Sequence, residues 1–336
     1  MSNKTHIVAE LSANHGHKVE NALASVHAAK AAGADAIKIQ TYTADTITLE
    51  CDSDDFMIKG GLWDGYSLYN LYKEAYTPWE WHKAIFDEAR RVEIDCFSTP
   101  FDKTAVDFLE ELGNPIYKIA SFEITDIPLI EYAASKHKPM VISTGIATPD
   151  DIQLALDACM RVGNEDVTLL HCVSAYPAPM ELVNLRTMMD MVARYGVRVG
   201  LSDHTMGADV AIAAVALGAT MVEKHFILDR AIGGPDAAFS MQQDEFAAMV
   251  QSIRNVEKAL GTVAYKLDPS IIKGREFSRS LYVAEDIKVG AVITEQNVRS
   301  VRPGYGLEPK YLPEIIGKRV NRNLTKGDRM KLDYID

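Results

Sequence analysis

The sequence is short of positive charge. Thirty-five Lys and Arg face 47 Asp and Glu, for a net charge of −12. A chain that tracks a nucleic-acid backbone wants the opposite balance, so this argues against broad nucleic-acid contact. It leaves anionic small molecules open, because a few buried Lys or Arg set the field inside a site. Long apolar runs are also missing. None reaches the roughly 20 residues that span a bilayer, and the opening MSNKTHIVAELSANH lacks the apolar core of a signal peptide. A cytoplasmic, non-membrane protein is expected. Cysteine is scarce. Cys51, Cys96, Cys159 and Cys172 show neither ligand spacing nor the density of a disulfide scaffold. Cys96 and Cys172 lie in apolar runs and read as buried core thiols. The phosphate loops GxGxxG and GxxxxGKS/T are absent, which removes the usual nucleotide signatures.

What the chain does have is repetition. Short apolar runs stand at IVAE (7–10), AIKIQ (36–40), DCFSTP (95–100), YKIASFE (117–123), MVISTG (140–145), VTLLHC (167–172), VRVGLSDH (197–204) and MVEKHF (221–226), and most starts fall 22 to 30 residues apart. That is close to the length of a βα unit. The segments between them carry helix signals: 21–34 stops near Gly33, 78–92 opens on Pro78, and 148–163 has Thr148 as N-cap and Gly163 as stop. The pattern predicts an α/β fold of the (β/α)8 type. A doubly wound sheet would need fewer strands and a switch point.

One connection is far longer. Residues 41–77 contain CDSDDFMIKGGLWDGYSLYNLYKEAY, too aromatic for a disordered linker, and are placed above the barrel mouth. After a helix at 244–260 the pattern changes to short runs with Gly turns. The expected domains are a barrel over 1–265, a linker over 266–278 and a small β-rich domain over 279–336. A domain that small needs support from a neighbour.

Polar side chains gather at the ends of the runs: Glu10; Lys38 and Gln40; Ser98 and Thr99; Lys118, Ser121 and Glu123; Ser143 and Thr144; His171 and Ser174; Ser202, Asp203 and His204; Glu223, Lys224 and His225. In a (β/α)8 barrel that is the catalytic face. Lys38 and Lys118 each sit between large apolar residues, so alternation sends both ammonium groups inward. There each needs a partner, either a bound phosphate or carboxylate, helped by Ser121, Ser143 and Thr144, or an internal Glu10 or Glu123. His204 and His225 end neighbouring runs, and two imidazoles with a carboxylate and water make a divalent-metal site. Acid–base work and structural hydrogen bonding are the alternatives. His171 reads as a barrel-interior group or a core hydrogen-bonder, and His15 as a mouth or packing residue. Asp236 in GGPDAAFS (233–240) binds hydroxyls, activates water or closes an Asx-turn. Arg302 in RPGYG (302–306) caps a site or lies on the surface.

These run ends, taken together, resemble the sialic acid synthase (NeuB-like) family. The motifs are AELSANH (9–15), KIQ (38–40), STPFD (98–102), YKIASFE (117–123), STG (143–145), HCVSAYP (171–177), SDHT (202–205), EKHF (223–226), GPD (234–236) and RPG (302–304). The resemblance implies a TIM barrel with a C-terminal antifreeze-like (SAF) domain, in a domain-swapped homodimer. It implies a transferase that condenses phosphoenolpyruvate with an N-acetylated amino sugar. The implied cofactor is a divalent metal, manganese first, with magnesium or cobalt as alternatives. Lys38, Lys118, Ser121, Ser143 and Ser174 then look like phosphoenolpyruvate contacts, with Ser98 a further substrate contact. His204 and His225 look like metal ligands. Glu10, Gln40, Glu123, Tyr176 and Asp236 look like active-site or acceptor-side groups, with Glu10, Glu123 and Asp236 as candidates for proton handling. Arg302 looks like an arginine reaching the partner's acceptor.

Within the family, SAN in AELSANH, the segment WDGYSLYNLYKEAYTPWEW (63–81), and Ala237 and Phe239 after GPD depart from the sialic and legionaminic pattern. They point to the branch whose acceptor is 2,4-diacetamido-2,4,6-trideoxy-β-L-altropyranose. N-acetylneuraminate or legionaminic acid synthesis is the alternative. A Schiff-base aldolase using Lys38 or Lys118 is the rival chemistry on the same fold.

Overall fold

The computed structural model describes residues 4–60 and 63–336. It divides into two compact units, Met1–Gly261 and Thr262–Asp336. In the first unit eight parallel strands close into a barrel in chain order. They are β1 (His6–Glu10), β2 (Ala36–Thr41), β3 (Asp95–Pro100), β4 (Tyr117–Ile119), β5 (Met140–Ser143), β6 (Val167–His171), β7 (Arg198–Asp203) and β8 (Met221–His225). Helices run between them, among them Val19–Ala31, Trp79–Arg91, Pro149–Arg161 and Asp209–Ala216, and Gln243–Leu260 follows β8. The helix at 149–161 starts as the sequence predicts. Asp151 N donates to Thr148 Oγ1 at 3.3 Å while Thr148 N donates to Asp151 Oδ2 at 2.9 Å, a reciprocal cap that satisfies two otherwise orphaned donors.

Alternation along each strand sorts the side chains into two layers. Ile7, Ala9, Ile37, Ile39 and Cys96 face the helices and share their core. Val8, Ala36, Phe97, Val141, Leu170 and Met221 face the axis and form a separate apolar cluster. This plug crosses the barrel, so the polar residues two places further along each strand stand on a dry floor. YKIASFE is not one long strand. β4 ends at Ile119, and Ser121–Glu123 forms a 3-10 turn. Asp126 then caps the next helix, accepting from Leu129 N at 3.1 Å. The turn carries Ser121 and Glu123 beyond the strand end.

The long excursion after β2 holds helices Ala44–Ile47 and Leu68–Ala75; its Gly61 and Leu62 lie outside the described residues. It does reach the mouth. Trp63 Nε1 donates to the Pro235 carbonyl at 3.4 Å, and the Trp63 ring lies 5.8 Å from that of Tyr176. Among the described residues no helix is long and apolar enough to cross a membrane.

The second unit has its own core of Leu281, Val283, Ile287, Ile293, Val298, Ile315, Val320, Leu324 and Met330. Its two strands, β9 (Ser280–Val283) and β10 (Val298–Val301), pair antiparallel. Single bridges such as Ile287↔Leu324 and Val320↔Ile335 tie in the rest.

Candidate active site at the barrel mouth

Above the apolar plug the axis is crossed by charge. Lys38 Nζ lies 2.7 Å from Glu10 Oε2 and 3.6 Å from Glu223 Oε1, and donates to Thr99 Oγ1 at 3.1 Å. Lys118 Nζ donates to Ser143 Oγ at 2.7 Å and to the Ile119 carbonyl at 3.1 Å, but its carboxylate, Glu223, is 3.9 Å away. The two ammonium groups therefore differ. Burial would lower both, but Glu10 and Glu223 outweigh it for Lys38, which is raised. For Lys118 burial wins over Glu223, and Lys38 pushes the same way, so it is lowered. Glu223 is held down despite burial by Lys118 and Lys38, and its Oε2 has no hydrogen-bond partner. Such leftover acceptor and donor capacity, in a buried site, suits a ligand. Gln40 bridges Glu10 Oε1 (2.8 Å) and Ser12 Oγ (3.0 Å). Ser174 Oγ donates to Ser121 Oγ at 2.9 Å. Glu123 is pushed up to about 7 by burial, with Lys118 only partly opposing.

Across the mouth stand the two histidines, with ring centroids 5.5 Å apart. His204 Nδ1 pairs with the Val173 carbonyl at 2.9 Å, which leaves its other nitrogen for the mouth. His225 Nδ1 is buried without a hydrogen bond and lies 3.7 Å from Asp236 Oδ2. Burial lowers both imidazoles, and His204 adds to the effect on His225. Both are thus neutral near pH 7, the form that binds metals. Burial raises Asp236, opposed by Ser12 and the Ala13 amide. Among the described residues no group of three or more His, Cys, Asp or Glu forms a complete metal cage. The residues that would hold a divalent ion here are two neutral imidazoles with the Asp236 carboxylate beside one of them, a donor set of the kind such ions accept. Tyr176 packs against the pair, its ring tilted against His204 at 4.4 Å and edge-on to His225 at 6.3 Å, with Phe239 4.9 Å from His225.

Not every sequence candidate is here. Ser98 faces outward, its hydroxyl 2.6 Å from Thr41 Oγ1 and 3.1 Å from the Ile39 carbonyl. Thr99 is the inward residue of β3. His171 also faces outward, with Nε2 2.6 Å from the Val183 carbonyl. Asp203 and Lys224 pair with each other at 2.7 Å in the outer layer. His15 packs edge-on against Trp81. Cys172, read from its apolar run as a core thiol, faces the mouth beside Ser121 and Ser174. Arg302 belongs to the second unit, exposed, and lines a hollow of about 420 Å³ with Arg299 and Lys326.

Residues 25–265 match the NeuB family, and residues 278–328 match the SAF domain. The chain belongs to the NeuB family. It is 48% identical to the pseudaminic acid synthase of Campylobacter jejuni over 98% of this chain and 96% of that protein. It is 46% identical to the pseudaminic acid synthase of Helicobacter pylori, over 98% and 97%. Among solved structures it resembles the N-acetylneuraminic acid synthetase of Leptospira borgpetersenii, in complex with citrate. There the TM-score is 0.73 at 30% identity, over 81% of this chain and 90% of that one.

Cys172 was missed from sequence as a residue of this NeuB-family mouth, while Thr99 and Glu223 stood among the polar run ends without an assigned role. Glu223 had the clearest signal. In MVEKHF it sits two places before His225, so it must share that residue's face.

Proposed function

We propose that this protein is a pseudaminic acid synthase, condensing phosphoenolpyruvate with 2,4-diacetamido-2,4,6-trideoxy-β-L-altropyranose in the cytoplasm. One observation carries the reading: a lysine pair, of which Lys118 is only loosely matched to a carboxylate, faces two buried imidazoles in the same mouth, and near-full-length relatives bear that name. Lys38, Lys118 and Ser143, with Ser121 and Ser174, hold the phosphate and carboxylate. Carbon 3 of phosphoenolpyruvate bonds to the aldehyde carbon of the open-chain sugar, whose oxygen takes a proton. Water adds at carbon 2 and gives up a proton, and phosphate leaves by C–O cleavage as the 2-keto acid forms. His204 and His225 would hold a divalent metal, manganese in the first instance, and when bound it would supply Lewis-acid polarisation of the aldehyde. Glu10, Glu123 and Asp236 are the carboxylates available for these protons, and Glu123, at about 7, exists in both forms near neutrality. Tyr176, Phe239 and Ala237 offer an apolar wall, which suits a 6-deoxy sugar better than a hydroxymethyl group. Arg302 serves the acceptor in a partner's mouth within a homodimer.

The test is phosphate release with phosphoenolpyruvate and manganese. The altrose-derived acceptor is compared with N-acetylmannosamine and the legionaminic precursor. Turnover with the first is expected to dominate, and preference for either of the others would replace the acceptor assignment. His225→Ala is expected to lose metal-dependent activity; full activity after chelation would remove it as a ligand. The lowered Lys118 amine is the one observation that favours a Schiff-base aldolase. A borohydride-trapped adduct without phosphate release would establish that chemistry instead.

A further inference from the structure

We propose that Gly145 is a positioning residue whose missing side chain lets a three-donor anion cup form, and that Cys172 is the third donor. The inference rests on the phosphoenolpyruvate reading and assigns the phosphate end of that ligand. Gly145 follows β5 directly, after Ser143 and Thr144. A Cβ built there would lie 2.6 Å from Cys172 Sγ and 2.8 Å from Ser121 Oγ, and closer still to Ser174 Oγ. Real Cβ atoms do not approach other atoms so closely, so three side chains from two further strand ends converge on this one α-carbon. The glycine is not there for its backbone. Unlike Gly233 or Gly234, Gly145 does not have a left-handed φ, the region in which a side chain is strained whatever the space around it. What is needed is the space.

The convergence has a chemical pattern. Two hydroxyls already within hydrogen-bond distance of each other at 2.9 Å and a thiol stand together. The Lys118 ammonium, only loosely paired with its carboxylate at 3.9 Å, is bonded to the Ser143 hydroxyl next to them. Three short donors beside a cation match the three free oxygens of a phosphate monoester better than the two of a carboxylate. An alanine at 145 would force the donors apart by several tenths of an ångström or more, and positioned hydrogen bonds weaken steeply with such displacement.

The experiment measures binding to the whole protein by calorimetry, with phosphoenolpyruvate, inorganic phosphate and pyruvate as separate probes, alongside steady-state kinetics and thermal melting. Gly145→Ala is expected to weaken phosphoenolpyruvate and inorganic phosphate about tenfold or more. Pyruvate, which keeps the carboxylate but not the phosphate, is expected to bind the variant and the wild type alike. The KM for phosphoenolpyruvate should rise by more than kcat falls. Cys172→Ala is expected to weaken phosphate binding several-fold and Cys172→Ser to retain it, and this pair decides the matter if Gly145→Ala does not fold. Unchanged phosphate binding in Gly145→Ala, an equal loss for pyruvate, or equal losses in the two Cys172 variants would overturn the cup. If the wild type bound phosphate but not phosphoenolpyruvate, the functional reading would fall while the cup stood.

Discussion

Lys224 and Lys118 are almost equally buried, 1% and 2% exposed, on opposite sides of one barrel wall. Lys224 points outward. It donates to Asp203 Oδ2 and the Thr205 carbonyl, both at 2.7 Å, and Asp203 Oδ1 accepts from Thr205 N (2.9 Å) and Oγ1 (2.7 Å). Within this group each charge is answered. Lys118 points inward, with a serine, a carbonyl and a distant carboxylate whose second oxygen has no partner. Burial of a charge therefore does not identify a binding group. Unspent hydrogen-bonding capacity at the mouth is the better pointer, because a buried charge with capacity left over calls for a partner.

The contrast can be broken by experiment. Lys224→Met strands a buried Asp203 carboxylate, and a loss of about 3–5 kcal/mol in unfolding free energy is expected from urea titration. Phosphoenolpyruvate affinity of the folded protein should be unaltered. Lys118→Met should do the reverse. Its kcat/KM for phosphoenolpyruvate is expected to fall by about 100-fold, roughly 2.7 kcal/mol, with stability little changed. If both variants unfold alike, the two lysines are equivalent and the distinction fails.

Glu123 gives the next effect. Its folded value, about 7, lies above the ordinary 4.5 because of burial. The folded state thus holds the proton more tightly than the unfolded chain. The resulting stability is complete below about pH 4.5 and is lost as pH rises through about 7. Glu123→Gln should remove that dependence, worth on the order of 1–3 kcal/mol between pH 5 and 8. Parallel melting curves for wild type and variant across that range would contradict it. The smallest effect is expected at Ser98. Ser98→Ala loses hydrogen bonds in the outer layer, about 1 kcal/mol, and leaves the phosphoenolpyruvate KM unchanged. A raised KM would return Ser98 to the mouth.

The barrel was legible because βα repetition is a strong signal and because charge marks direction. Lys38 between two isoleucines has one sensible orientation. Where charge is absent, a barrel strand is ambiguous, since the plug is as apolar as the helix-facing layer. In DCFSTP, past the exposed Asp95 at its start, both faces are small or apolar, and nothing there says that Phe97 and Thr99, rather than Cys96 and Ser98, turn inward. The same ambiguity hid Cys172 within VTLLHC. Glu123 was found for its type, but the turn that lifts it beyond β4 has no marker within the run, which reads on as one strand.

The plug formed by Val8, Ala36, Phe97, Val141, Leu170 and Met221 is also a dielectric boundary. Glu10, Lys38, Thr99, Ser143, Cys172 and Glu223 stand two places further along the same strands, so hydrocarbon rather than solvent lies beneath their charges and dipoles, and their mutual fields are screened less than they would be at an open surface.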